Sequence, residues 1–337
     1  MSVLKEISHR GVGLATATLL AVALAACGVS AAAPAASPTT SSFKLQSEYV
    51  KLVQDVGPSV VLIESNVGLG SGIIFDAQGD IVTNNHVVAG SPSFLVVLSN
   101  GKQYQGSLVG SYAPDDLAVI RIQATGLRPA TFANSSNLQV GDIVLAIGNP
   151  LGLQSTVSEG IVSAMRTAIP EGNGVTLPSA IQTTAAINPG NSGGALIDLN
   201  EQVVGIPTLA ATDPQLGGGA APGIGFAIPS NTITLIAKQL IASGSVTNSG
   251  RSALGAQVGN TGGSGALVTT VKAGGPAAMA GIKVGDVIKA IAGQPVTGAQ
   301  AVADVLLTLK AGQQVPVNLV HPDGSTGTVT VTLTELQ

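Results

Sequence analysis

From Pro58 to about Pro229 the chain alternates short apolar runs with polar, glycine-bearing breaks. Val60–Glu64, Ser71–Phe75, Ile81–Asn84, Phe94–Leu98, Leu117–Ile122 and Asp142–Ile147 are four to six residues long and rich in Val, Ile and Leu. Turn formers such as Ala77-Gln78-Gly79-Asp80 and Ser99-Asn100-Gly101 separate them. Runs of this length and composition predict β-strands, in a sandwich or a pair of barrels. Helical spacing is nearly absent until Asn231–Ala242, where Ile233, Ile236, Leu240 and Ile241 form one apolar stripe. Ser230 is placed to cap that helix and Gly244 to end it. Residues 245–252 read as a linker. A second block over 253–337 predicts strands at Leu267–Val271, Val287–Ile291, Val315–Val320 and Gly327–Leu333 and a helix at Ala299–Leu309, an α+β pattern.

The first residues read as an address. Lys5 and Arg10 precede an uncharged run from Gly11 to Ala26, the layout of a secretory signal over residues 1–27. It ends Leu24-Ala25-Ala26-Cys27, which resembles the lipobox of bacterial lipoproteins; that resemblance implies acylation of Cys27. An uncleaved anchor is the alternative, since the uncharged stretch continues to Phe43 and is long enough to span a bilayer. Simple secretion after cleavage is the third. All three place the rest of the chain outside the cytoplasm, in the periplasm or at the cell surface, and the first two attach it to the membrane. Residues 28–47 begin with an Ala/Ser/Pro/Thr-rich stretch that buries too little to order itself and read as a tether.

Composition narrows the function classes. The 337 residues are 45% apolar with 44 glycines and only 9% charged, which suits turn-rich β structure rather than disorder. The net charge of −4 and the lack of a Lys/Arg cluster leave no footprint for nucleic acid. Cys27 is the one cysteine, so no intramolecular disulfide forms. His9, His86 and His321 are far apart, which argues against a metal centre, and no cofactor is expected. Gly68-Leu69-Gly70-Ser71-Gly72 does not read as a nucleotide loop, because Ile73-Ile74-Phe75 continues as a strand and not a helix.

Three residues carry candidate chemistry. Ser192 sits in Asn188-Pro189-Gly190-Asn191-Ser192-Gly193-Gly194. A serine nucleophile needs a base, an oriented carboxylate and backbone N–H groups for the oxyanion. The expected oxyanion donors are the N–H groups of Gly190, Asn191 and Ser192; bare Gly193 and Gly194 let a substrate strand approach. A plain Asn/Pro/Gly/Ser turn is the bland reading. His86, in Thr83-Asn84-Asn85-His86-Val87-Val88, is the base by elimination: His9 lies in the signal and His321 in a hairpin turn, Val320-His321-Pro322-Asp323-Gly324. Asp115 or Asp116, opening Leu117–Ile122, could supply the carboxylate. Thirty residues separate His86 from Asp116 and 76 separate Asp116 from Ser192, enough for several strands in each gap.

TNNHVV, DDLAVIRI and NPGNSGGAL, in that order, resemble the HtrA (Deg) family of trypsin-like serine proteases. The likeness extends to Gly68–Ile74, Ala146–Pro150 and Ile224–Pro229 and covers the chain from near Glu48 to its end. It implies a mainly β fold of two chymotrypsin-like six-stranded barrels over 48–244, followed by one PDZ domain over 253–337. It selects Asp116 as the catalytic acid, since that residue directly precedes Leu-Ala-Val. It also implies a homotrimer, to which Phe43 and Tyr49 could contribute. In the trypsin-like plan the specificity pocket is based six residues before the serine, here Ala186. With Ile187 it suggests a small apolar pocket for aliphatic residues and no preference for Lys or Arg. Thr184 stands where many members have Asp. The stretch Thr208–Gly223 reads as a mobile loop bordering the pocket, and Arg166 falls near the family's peptide-sensing loop. Arg251-Ser252-Ala253-Leu254-Gly255-Ala256 resembles the PDZ carboxylate-binding loop, with Leu254, Gly255 and Ala256 at its centre. Gly274–Ala278 and Gly281–Ile288 match the PDZ pattern further on.

The leading expectation is therefore a serine endopeptidase acting on unfolded or misfolded extracytoplasmic proteins and regulated by C-terminal peptides at the PDZ domain. A chaperone or peptide sensor with a resting-inactive triad is the second reading, and a purely structural surface lipoprotein the third. An intact His-Asp-Ser set argues against the last.

Overall fold

The computed structural model describes residues 40–336 apart from 67, 92, 150–155, 173–174, 189, 214–218 and 262–264. Cys27, the expected signal segment and most of the expected tether lie outside the described residues. The first described element is helix α1 (Thr40–Val56), which begins inside the segment read as tether. Its Leu52 and Val56 are buried.

Six strands follow: β1 (Val60–Ser65), β2 (Gly68–Ile74), β3 (Asp80–Asn84), β4 (Phe94–Val97), β5 (Gln103–Tyr112) and β6 (Leu117–Ile122). They close into a barrel in the order β1-β2-β3-β6-β5-β4. The one-turn helix α2 (Asn85–Val88) interrupts the path after β3. A second sheet contains β7 (Thr131–Phe132), β8 (Ile143–Gly148), β9 (Thr156–Gly172), β10 (Val175–Thr183), β11 (Ala195–Ile197), β12 (Gln202–Asp213) and β13 (Gly219–Pro229). Its order is β11-β8-β9-β10-β13-β12-β7, and pairing of β11 with β12 closes six of these into the second barrel. Helix α3 (Ser230–Ser243) ends at Gly244, whose φ of 71° is the left-handed conformation expected of a C-terminal glycine. Ser230 is the first helical residue and not the cap; its hydroxyl donates to the Ala133 carbonyl at 2.8 Å.

Strict alternation explains why these strands read as continuous apolar runs. Val61, Ile63, Ile74, Ile81, Ala118, Ile120 and Ile122 fill the first barrel. Val144, Ala146, Val162, Ile181, Leu196 and Val204 fill the second. Their neighbours Val60, Ile73, Val82, Leu117, Val119, Leu145, Ile147, Ala195 and Ile197 join α3 residues Ile233, Ile236 and Leu240 in a third core. Successive side chains on a strand point to opposite faces, so a strand buried on both faces cannot show a polar alternate.

The C-terminal block holds β14 (Ser252–Ala253), β15 (Ala256–Asn260), β16 (Ala266–Val271), α4 (Pro276–Met279), β17 (Val287–Ile291), β18 (Gln294–Pro295), α5 (Ala299–Leu307), β19 (Gln314–Val320), β20 (Thr326–Thr332) and β21 (Thr334–Glu335). The sheet order β15-β16-β17-β19-β20 leaves β15 at an edge, and α5 lies beside it. This block has its own core, including Leu254, Val268, Ile288, Val317 and Leu319. Among the described residues no helix is long and apolar enough to cross a membrane.

Candidate active site

His86 is carried by α2, which extends directly from β3. Val87 and Val88 of that turn are buried and anchor it to the first barrel. Gly70 on β2 permits the approach: a methyl group there would lie 2.6 Å from Val87 Cγ1. The anchored neighbours leave the His86 side chain 48% exposed.

Asp116 comes from the neighbouring strand of the same barrel, at the entry to β6, which pairs with β3 through Asn84 and Leu117. It has φ 50°, ψ 42°, a left-handed backbone that Asp adopts more readily than most residues. Its carbonyl accepts from Asn85 N–H at 3.0 Å and Asn84 Nδ2 at 3.1 Å. Its carboxylate accepts from His86 N–H through Oδ1 at 2.9 Å and meets His86 Nδ1 through Oδ2 at 2.8 Å. A carboxylate is acceptor-only, so a neutral imidazole here carries its proton on Nδ1, which makes Nε2 the basic nitrogen. Thr208 Oγ1 donates to the same Oδ2 at 2.6 Å. The side chain of Asp116 is 5% exposed, so these bonds replace its water.

Asp115 points elsewhere. Its Oδ1 accepts from Arg251 Nη1 at 2.8 Å, and the same nitrogen donates to the Pro114 carbonyl at 2.7 Å. Burial raises its pKa, against the downward pull of the guanidinium. Arg251, read from the sequence as the first residue of a peptide-binding loop, instead reaches the turn beside the Asp116 backbone.

Ser192 lies in the turn between β10 and β11. Its carbonyl accepts from Ser71 N–H on β2 at 2.8 Å. The next residue, Gly193, donates to the Pro207 carbonyl at 3.1 Å, one position before Thr208. The Ser192 turn is thus stitched to the strand beside the one that carries His86, and to the β12 segment that holds Asp116. Gly193 has φ 81°, and any side chain there would overlap the Ser71 carbonyl oxygen and Thr83 Oγ1. Gly190 has φ 102°, in a turn closed by Asn191 N–H to the Asn188 carbonyl at 3.0 Å. That bond engages the Asn191 N–H inside the turn.

Around the serine, Ala186 is exposed and its carbonyl accepts from Ser158 Oγ at 2.8 Å and Asn191 Nδ2 at 3.2 Å. Ile187 is buried in the second barrel's core. Thr184 joins β9 through Thr184 Oγ1, which accepts from Ile161 N–H at 3.0 Å. The stretch read as a loop from Thr208 to Gly223 is largely strand: β12 continues to Asp213 and β13 starts at Gly219. Thr208 was hidden by that reading, since a lone threonine in a Gly/Ala-rich segment carries no motif. Arg166 is on β9, where its Nε donates to Gln182 Oε1 at 2.7 Å, and β9 reaches α5. In the C-terminal block, Leu254 is buried and Gly255 has φ 71°. The Leu254 and Gly255 carbonyls accept from Ala277 N–H at 2.8 Å and Lys272 N–H at 2.9 Å. Together these bonds lead into the β15 edge.

Comparison with known proteins agrees with this architecture. Residues 70–206 match the trypsin-like peptidase domain and residues 252–333 the PDZ domain. Serine protease PepD of Mycobacterium tuberculosis is 39% identical over 351 aligned positions, covering 96% of this chain and 74% of the relative. Periplasmic serine endoprotease DegP of Escherichia coli is 39% identical over 267 positions, covering 76% of this chain but 55% of the relative, so the chain spans about half of DegP's length. The crystal structure of the serine endoprotease from Yersinia pestis superposes with a TM-score of 0.61 at 36% identity, covering 86% of this chain and 98% of that one. The HtrA-type protease AlgW with decapeptide gives 0.62 at 30% identity, with 86% and 99% coverage. With a trypsin-like pair of barrels, one PDZ domain and these relatives, the chain belongs to the HtrA/DegP family of trypsin-like serine proteases.

Proposed function

We propose that the chain hydrolyses peptide bonds of unfolded or misfolded extracytoplasmic proteins through a Ser192-His86-Asp116 acyl-enzyme mechanism. The observation that carries this reading is the Asp116 carboxylate, bonded to His86 Nδ1 at 2.8 Å and to Thr208 Oγ1 at 2.6 Å beside the Ser192 turn. Ser192 Oγ attacks the scissile carbonyl carbon as His86 Nε2 takes its proton. Asp116 holds the imidazole in that tautomer and stabilises the imidazolium. The N–H groups of Gly190 and Ser192 receive the oxyanion. As the C–N bond breaks, His86 returns the proton to the leaving amine. Water then attacks the acyl-enzyme with His86 again as base, and Ser192 is released with its proton restored.

Ala186 and Ile187 present no charge to the pocket, which supports cleavage after small aliphatic residues. Peptide ends bind by strand addition at the β15 edge, with the carboxylate at the Leu254-Gly255-Ala256 loop. The β9–β10 hairpin, which carries Arg166 and touches α5, relays that binding to the protease barrels. The N-terminal segment directs the chain out of the cytoplasm, attached through Cys27 or an uncleaved anchor, and the protease assembles as a homotrimer. Casein degradation tests the core of this reading. Ser192→Ala lowers the rate by at least about 10⁴-fold if the triad acts as a unit. Equal degradation by both proteins ends the serine-protease mechanism.

A further inference from the structure

The mechanism above uses the backbone of Gly190 and Ser192 but leaves open what holds that backbone in place. Ser71, fully buried on β2, touches both residues. Its N–H donates to the Ser192 carbonyl at 2.8 Å, and its hydroxyl donates to the Gly190 carbonyl at 2.6 Å. The hydroxyl in turn accepts from Asn149 N–H at 2.8 Å, and the Ser71 carbonyl accepts from Thr83 Oγ1 at 2.6 Å. Every polar group of this residue is engaged, and its partners come from both barrels. Gly148, next to Asn149, lies directly beneath the turn: a methyl there would come within 2.8 Å of the Gly190 carbonyl oxygen and the Asn191 Cα.

The geometry points to Ser71 as a positioning residue for the oxyanion turn, a role that rests on the serine-protease reading above. Glycine at φ 102° has no side chain to limit rotation, so the direction of the Gly190 N–H depends on what fixes the flanking peptide groups. The Ser71 hydroxyl fixes the peptide after Gly190, and the Ser71 N–H fixes the peptide after Ser192. Two anchors from one rigid strand set both donors relative to the β3–α2 segment that carries His86. Ser71 does not reach the substrate; it acts through the turn. The sequence hides this, because Gly68-Leu69-Gly70-Ser71-Gly72 reads only as a glycine-rich strand 121 residues before the nucleophile.

The test uses the full chain with Ser71→Ala and compares three readouts at a temperature where circular dichroism shows the variant folded. These are kcat and KM on a chromogenic peptide, and the inhibition constant of a matching peptide boronate, whose tetrahedral oxygen occupies the oxyanion site. A displacement of the donors by about an ångström costs roughly a hundredfold. Ser71→Ala is expected to lower kcat by about tenfold to a hundredfold, with KM within about threefold, and to weaken the boronate in proportion to kcat/KM. Thr83→Val, which removes a neighbouring buried hydroxyl without freeing either turn carbonyl, should retain more of the boronate affinity than Ser71→Ala. If Ser71→Ala does not fold, Ser71→Cys, with a longer and weaker donor, must show the same kcat-selective loss. A folded Ser71 variant with wild-type kcat and boronate affinity, reduced only in thermal stability, overturns the inference. With Ser192→Ala inactive, that result removes the role of Ser71 and leaves the triad standing; activity in Ser192→Ala removes both.

Discussion

Replacing Arg251 by alanine isolates one contact between the C-terminal block and the protease barrels. The Arg251 side chain is 11% exposed and that of Asp115 is 1% exposed, so neither charge can recover its hydration in place. Among the described residues Asp115 Oδ2 has no hydrogen-bond partner, which makes the guanidinium the main compensation for the buried charge. Breaking a buried pair from one side costs about 3–5 kcal/mol. At roughly 2–4 °C per kcal/mol for a chain of this size, Arg251→Ala should melt on the order of 10 °C lower at neutral pH. The pH dependence carries a sign. Burial already raises the Asp115 pKa above its ordinary value of 3.8. A raised carboxyl favours the protonated native state, so its contribution is complete below the unfolded value and is lost as pH rises through the folded one. Removing Arg251 takes away the opposing pull and extends that loss to higher pH. The gap between Arg251→Ala and wild type should therefore widen from about pH 4 toward neutrality. In Asp115→Asn/Arg251→Ala most of the deficit should disappear. With no Trp in the chain, far-ultraviolet circular dichroism is the probe. An unchanged melting temperature in Arg251→Ala at neutral pH, or a deficit that does not vary with pH, would refute this reasoning.

Other outcomes follow from the same geometry. Thr208→Val removes a hydrogen bond to a charged acceptor, worth about 1.5–3 kcal/mol, and should lower kcat/KM by about tenfold to a hundredfold while the protein stays folded; steady-state kinetics would show it. Gly190→Ala forces a side chain onto φ 102° and should cost kcat much more than KM on a peptide substrate. A peptide with a free C-terminal carboxylate should bind Ser192→Ala at least about tenfold more tightly than its amidated form, measured by fluorescence anisotropy, because the amide loses a charge-assisted hydrogen bond to the backbone. Equal binding of the two peptides would exclude carboxylate capture at Leu254-Gly255-Ala256.

Much of this molecule was legible from residue order, and the reasons are physical. Runs such as Leu117–Ile122 are buried on both faces, so length and branching alone marked them as strands. Gly244 ended α3 because only a residue tolerant of positive φ fits there. His86 followed from elimination, while the choice of Asp116 over Asp115 rested on family resemblance; the left-handed turn that aims one at His86 and the other at Arg251 has no local signature. Contacts between distant segments left no pattern either. Thr208, Ser71 and Arg251 act 92, 121 and 136 residues from their partners Asp116, Ser192 and Asp115, and each is a common residue type in an unremarkable setting. The bond from Asn191 N–H to the Asn188 carbonyl was equally illegible, because a turn's internal hydrogen bond depends on backbone rotation that glycine leaves undetermined.

The central claim is that Ser192 is a nucleophile activated by His86. The most direct test is labelling of the folded protein with a fluorophosphonate, followed by peptide mass spectrometry. The account predicts one adduct, on Ser192, absent in Ser192→Ala and formed far more slowly in His86→Ala. An adduct on another residue, or labelling of Ser192 at the same rate without His86, would contradict it.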